Sequence, residues 1–136
     1  SDRYYFCDDV VRTKAKLGLG DEHIYFNTGV ILIDTAKYRE CFPMKNILDF
    51  IEKNKEKIFF FDQDTLNCLA GDNRILIDEK WNYQGYSFEK NTAQEMAEKV
   101  VIHFVDLPKP WSEGYKNETL LTIFDSFSKE LSQKEE

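Results

Sequence analysis

The sequence predicts an α/β fold, and three observations carry that prediction. Two apolar, β-branched runs, Val30 to Ile33 and Val100 to Phe104, have strand length and lack a helical period. Elsewhere the apolar positions recur at helical spacing: Met44, Ile47, Leu48 and Ile51, then Leu120, Ile123, Phe124, Phe127 and Leu131. Helix-starting residues (Asp34-Thr35, Pro43 and Asn117) stand just ahead of helical segments. Strands interleaved with helices read as α/β with a mixed sheet and flanking helices.

Taken in order, Arg3-Tyr4-Tyr5-Phe6-Cys7 is an aromatic-rich strand that Asp8-Asp9 turns outward, so the two carboxylates read as a solvated strand end. Val10 to Leu17 predicts a short helix, broken by Gly18-Leu19-Gly20. His23 to Asp34 is the densest β signal, and its continuous run Val30 to Ile33 predicts a strand buried on both faces. Asn27-Thr28-Gly29 interrupts it, either as a plain turn or as a bulge whose polar pair is bonded by something else. Asp34-Thr35 caps a helix through Arg39, and Pro43 opens another whose end, Lys53 to Lys57, is a solvated charged face.

Three phenylalanines, Phe59 to Phe61, then abut Asp62-Gln63-Asp64, and Leu66 and Leu69 continue as a helix. One of the two acids is accounted for as an N-cap or a dipole partner in the first turn. Neither role explains Gln63, or why a bulky apolar run should meet so much polar surface. Gly71-Asp72-Asn73 is a turn, Arg74 to Asp78 a short strand, and Thr92 to Lys99 a helix before the strand Val100 to Phe104. Asn117 caps the last helix, and Gln133 to Glu136 fray.

Composition limits the function classes. The chain has 136 residues, one domain's worth, and the aromatic share of 15% marks a globular core rather than a disordered tail. A net charge of -7 argues against sequence-independent nucleic-acid binding, which needs a basic stripe. No apolar run approaches the roughly 20 residues of a membrane span. The cysteines, Cys7, Cys41 and Cys68, show no paired spacing; they read as reduced thiols of a cytoplasmic protein, and no zinc or thiol-enzyme pattern emerges.

Two stretches have the composition of a ligand site. Lys80-Trp81-Asn82-Tyr83-Gln84-Gly85-Tyr86 mixes flat rings with amides, as sugar-holding surfaces do, with Asn82 a substrate contact and Trp81 either platform or core. The strand ending at His103 delivers an imidazole, and Pro108-Lys109-Pro110-Trp111 delivers an ammonium on a stiff loop beside an indole. That pairing suits a metal-bound anion, with Phe26 to Asp34 and Phe59 to Leu69 as other walls of the pocket.

Together, Tyr25-Phe26-Asn27-Thr28-Gly29-Val30-Ile31-Leu32-Ile33, Phe61-Asp62-Gln63-Asp64-Thr65-Leu66-Asn67, and His103 followed by Lys109-Pro110-Trp111 resemble the family 8 glycosyltransferases. That group includes lipopolysaccharide galactosyl- and glucosyltransferases and, more distantly, the glycogenins. The resemblance implies a GT-A fold and retaining transfer of a hexose from a UDP-sugar, with Mn2+ (or Mg2+) across the diphosphate. It implies that His103 is a metal ligand, that Lys109 and Trp111 belong to the substrate-binding loop, and that Asn27, Thr28 and Gly29 contact donor sugar and acceptor. It places Asp62 and Gln63 beside the donor sugar as the catalytic pair; an amide is a poor nucleophile, so front-face departure with Gln63 orienting groups is favoured over a covalent intermediate.

Two departures stand out. No Asp-x-Asp occurs before Asn27, and Asp106 occupies a place where many relatives have glycine near the diphosphate. The expectation is a single domain over 1–136, the C-terminal, acceptor-side part of a catalytic domain without its nucleotide-binding part. The expected partners are a UDP-sugar donor and a glycan or lipopolysaccharide-type acceptor. Association with the N-terminal half or a second copy is also expected, as is peripheral membrane contact by the full-length protein. A non-catalytic remnant of the same fold is the alternative.

Overall fold

A computed structural model describes residues 8–71 and 73–134, and the chain divides into two compact units, Ser1–Ile77 and Asp78–Glu136. The strand expected over Arg3 to Cys7 lies outside the described residues, as does Asp72 of the expected turn.

Among its described residues the first unit is helical where it is regular. Helix α1 spans Asp8–Leu17, so Asp8 and Asp9 form its first turn instead of a strand end. Carboxylates there meet the positive end of the helix dipole, and Asp9 also pairs with Arg12 one turn on. Val10, Thr13 and Lys14, at one-turn spacing, form its buried face. Helix α2, Thr35–Cys41, starts where predicted: the Asp34 carboxylate accepts from the amides of Ala36 and Lys37, both at 3.1 Å. Helix α3, Met44–Asn54, follows Pro43, and helix α4 spans Asp62–Ala70.

Two expected strands are absent from this unit. Val30 to Ile33 forms no ladder, and Leu32 is 95% exposed; Ile75, in the second run, is 93% exposed. A β-rich run needs a second backbone edge, and local preference does not provide one. Among the described residues neither run meets such an edge. The apolar stripe of α3 is likewise exposed at Met44, Leu48 and Ile51.

The second unit contains the sheet. Strands β1 (Tyr83–Gly85) and β2 (Ile102–Phe104) pair in parallel, with Tyr83 opposite Ile102, Gln84 opposite His103 and Gly85 opposite Phe104. Parallel neighbours need a crossover, and helix α5 (Ala93–Ala97) lies within it. A reciprocal capping box starts α5: Thr92 Oγ1 accepts from the Glu95 amide, and the Glu95 carboxylate accepts from the Thr92 amide. Helix α6, Glu118–Ser132, is capped by Asn117, whose Oδ1 accepts from the Leu120 amide at 3.1 Å.

Tyr83, Met96 and Leu120 form the core of this unit, with Ile102, Phe104, Tyr115 and Ile123 packed around them. Gly85 is required by that packing, because a Cβ there would lie 2.7 Å from Leu120 Cδ1. Trp81 is not core; it is 45% exposed. The predicted apolar face of α6 is buried at Leu120 and half-buried at Ile123 and Phe124, but Phe127 and Leu131 are exposed.

Candidate active site

The predicted site residues fall into two sets, one on each unit. In the first unit the start of α4 is fastened to the Asn27–Gly29 segment. The Asn27 side-chain amide donates to Gln63 Oε1 at 2.7 Å, and the Thr28 amide donates to the same oxygen at 3.3 Å. Thr28 Oγ1 donates to Asp62 Oδ2 at 2.8 Å. The Gly29 amide donates to Asn27 Oδ1, closing the loop on itself. The polar Asn-Thr pair that looked costly in the sequence is therefore bonded by α4.

The two acids of the triplet have different jobs. Asp64 is fully buried; its Oδ2 accepts from the amides of Phe59 (2.6 Å) and Phe60 (2.7 Å), and its Oδ1 accepts from the Tyr25 hydroxyl. It sits in the first turn of α4 and ties the preceding Phe59–Phe60 segment to the helix; the N-cap position is Phe61, and neither acid makes a side-chain cap bond to the helix amides. Asp62, the first residue of α4, is exposed and faces Thr28. Gln63 is 6% exposed, and its Nε2 donates to the Tyr25 hydroxyl at 3.3 Å while its oxygen takes the two loop donors. Its amide is committed at both ends, which suits orienting the loop and not attacking a sugar.

Sequence reasoning passed over Asn67. This buried amide takes the Phe26 N–H on Oδ1 (2.9 Å) and gives an N–H to the Phe26 carbonyl (2.8 Å). It acts as a one-residue strand partner for the segment that reads as β. The available signal was polar residues at 63, 64 and 67, on the helix face where an amphipathic helix would carry apolar ones; the expected anchors, Leu66 and Leu69, are only half-buried. Cys68 lies on the same helix, and burial, then the Asp64 charge, pushes its thiol up to about 11.

In the second unit, strand alternation places Ile102 and Phe104 toward α6 and His103 on the opposite face. An apolar cleft of about 480 Å³ lies on the α6 side, lined by Met96, Ile102, Phe104, Ile123 and Phe127 among others. It is therefore separate from the histidine. His103 Nδ1 lies 3.2 Å from Asn82 Oδ1, so the two predicted residues meet. With Nδ1–H donating to that carbonyl, Nε2 carries the lone pair. Burial, and next the Lys109 ammonium, hold the imidazole pKa below its ordinary value, which favours the neutral form.

Lys109 donates to the Phe104 carbonyl, folding its loop back onto the end of β2. Asp106 is also engaged: Ser87 gives its amide to both oxygens at 3.0 Å and its hydroxyl to Oδ2 at 2.6 Å. This carboxylate thus ties the loop after β2 to the one after β1. It also helps burial push the Tyr115 hydroxyl up to about 12, with Glu89 adding to it. Trp111 is 65% exposed and leans on Phe124, with ring centroids 5.6 Å apart.

A neutral imidazole with a bonded Nδ1 fits one position of a metal's coordination shell. Among the described residues no group of three or more His, Cys, Asp or Glu side chains is placed to hold an ion. These residues offer a single ligand, not a metal centre. No helix among them is long and apolar enough to cross a membrane.

The family model of the glycosyl transferase family 8 matches residues 2–114. The chain belongs to that family. It is similar to the glycosyltransferase GlyF of Streptococcus pneumoniae, 28% identical over 64% of this chain and 23% of that protein. It is similar to the general stress protein A of Bacillus subtilis, 24% identical over 75% of this chain and 40% of that protein. The lipopolysaccharide glucosyltransferase WaaO of Escherichia coli is 30% identical over 65% of this chain and 28% of its own length. The chain thus spans less than half the length of these relatives. No solved structure matches it. Family membership agrees with the α/β architecture and small parallel sheet.

Proposed function

We propose that the intact protein is a retaining hexosyltransferase of GT-A fold, moving glucose or galactose from a UDP-sugar to a glycan or lipopolysaccharide-type acceptor. In this reading residues 1–136 form the acceptor-side part of the catalytic domain and act in the cytoplasm, at the membrane surface where such an acceptor is held. The observation that carries the reading is the fastening of Asn27 and Thr28 to Gln63 and Asp62. It leaves an exposed carboxylate, oriented by a hydroxyl, beside a loop of polar groups and backbone amides.

Such a carboxylate offsets the positive charge of an oxocarbenium-like sugar in the transition state. Asp62 is the residue for that task, with Thr28 fixing its orientation. Gln63 is a positioning residue that holds Asn27 and Thr28. His103 would give one ligand to Mn2+ or Mg2+, held in place by Asn82. When bound, the ion supplies Lewis-acid stabilisation of the departing diphosphate. Lys109 has three donors and uses one on Phe104, so others can meet phosphate oxygens. The exposed runs around Leu32 and Ile75 support the further reading that this chain is covered by the nucleotide-binding part or by a second copy.

The test is UDP release by the intact protein given UDP-glucose or UDP-galactose with Mn2+. Asp62→Asn should lower turnover about 100-fold, and Thr28→Val by a smaller factor through the misaligned carboxylate. Wild-type turnover in Asp62→Asn would overturn the assignment; absence of turnover with every UDP-hexose would leave the non-catalytic alternative standing.

A further inference from the structure

Phe61 and Gly71 flank the same helix, α4, in nearly the same backbone conformation: φ 48 and ψ -113 at Phe61, φ 51 and ψ -122 at Gly71. This is the first-position geometry of a type II′ turn, which belongs to glycine because a Cβ is strained there. At one end of α4 the sequence uses glycine. At the other it uses a phenylalanine, the single non-glycine residue with positive φ among the described residues.

Several bonds impose the strain. Asp64 holds the Phe59 and Phe60 amides, the Gln63 amide donates to the Phe60 carbonyl at 3.0 Å, and the Phe61 carbonyl accepts from both the Thr65 amide (3.2 Å) and Thr65 Oγ1 (3.0 Å). A bulky residue held off its preferred backbone by so many contacts is a mark of function. Packing is not what the strain secures, since the Phe61 side chain is 79% exposed. The next residue is Asp62, bonded to Thr28, so the Phe61 backbone adjoins the polar edge of the candidate site and its side chain is open to solvent there.

We infer that Phe61 is a stacking platform for a pyranose ring, its face meeting the sugar's C–H face while Asp62 and the Asn27–Gly29 loop address the hydroxyls. Amphipathic sugars are held by this combination of aromatic face and hydrogen-bonding edge. It also accounts for the apolar run against polar surface noted in the sequence. The ligand class rests on the sugar-transfer reading above.

The intact protein is compared with Phe61→Gly, Phe61→Leu and Phe61→Tyr. Removing the Cβ in Phe61→Gly should raise Tm by about 3 °C, while the Leu and Tyr variants, which keep the strain, should melt with the wild type. Saturation-transfer NMR with aromatic irradiation is run in two arms, methyl glucopyranoside and galactopyranoside in one and UDP-glucose and UDP-galactose in the other. Transfer to sugar C–H protons is expected in at least one arm for wild type and Phe61→Tyr, and at least a fivefold loss for Phe61→Leu and Phe61→Gly. The arm that responds identifies the ring as the acceptor's or the donor's. A lower Tm for Phe61→Gly, no transfer in wild type, or transfer retained in Phe61→Leu each overturns the inference. UDP release is followed separately: its absence in wild type, with the NMR difference intact, would sink the transferase reading and leave the stacking platform standing.

Discussion

Around α4 in the first unit the fully buried side chains are Asp64 and Asn67; in the second unit Leu120 is the fully buried side chain, packed with Tyr83 and Met96. Both arrangements immobilise a loop that carries candidate site residues, and they do so with different physics. Asp64 and Asn67 hold Phe59, Phe60, Tyr25 and Phe26 through bonds that work at one geometry only. The apolar cluster fixes β2 by area and shape, and lets His103 emerge on the other face. Directional bonds fix a position to a few tenths of an ångström but leave costly orphans when broken. An apolar cluster tolerates small changes and resists mainly loss of volume.

The largest expected effect is therefore Asp64→Ala, which removes the acceptor of two backbone amides and of the Tyr25 O–H and should cost about 4 kcal/mol. Urea denaturation gives the loss, and hydrogen exchange should show it first at the Phe59 and Phe60 amides. A cost under about 1 kcal/mol would end the argument that polar bonds carry this region.

Next comes Leu120→Ala, expected to cost about 3 kcal/mol through the cavity it leaves. Gly85→Ala alone should cost about 1–2 kcal/mol by overpacking against Leu120 Cδ1. Together they should cost less than the sum, because the truncated Leu120 makes room for the new methyl. Strict additivity in the double-mutant cycle would show that Gly85 is needed for another reason.

The smallest effect concerns Cys68. Its thiol stays protonated in the folded chain up to about 11, whereas the unfolded chain loses that proton near 9.0. The unfolded state therefore binds fewer protons in that window, and stability falls as pH rises from about 9 to about 11. Melting curves of wild type and Cys68→Ala should converge across that range and stay parallel below it. At pH 8, site-resolved iodoacetamide labelling should be slower at Cys68 than at the exposed Cys41.

The comparison also separates what could be read in advance. Asp34 and Asn117 announced their helices correctly, because a cap bonds amides two or three residues away and needs nothing distant. Residue type and motif singled out His103 and Asn82, and Asn27, Thr28, Asp62 and Gln63, as candidates, and the structure brings the members of each set into hydrogen-bond contact. Val30 to Ile33 and Ile75 to Ile77 misled as strands, since pairing requires an edge that the run itself does not contain.

By itself, the sequence determined the α/β class, the capped starts of α2 and α6 and the family, all of which rest on local bonding or on motif order. Only the tertiary structure decided that Asn67 pairs with Phe26, that Asp64 holds the Phe59 and Phe60 amides, that Asp106 is held by Ser87, and that Phe61 takes a glycine's conformation. Each of those depends on which groups meet across many residues of chain, or on backbone strain imposed by such meetings, and neither is written in the spacing of side chains.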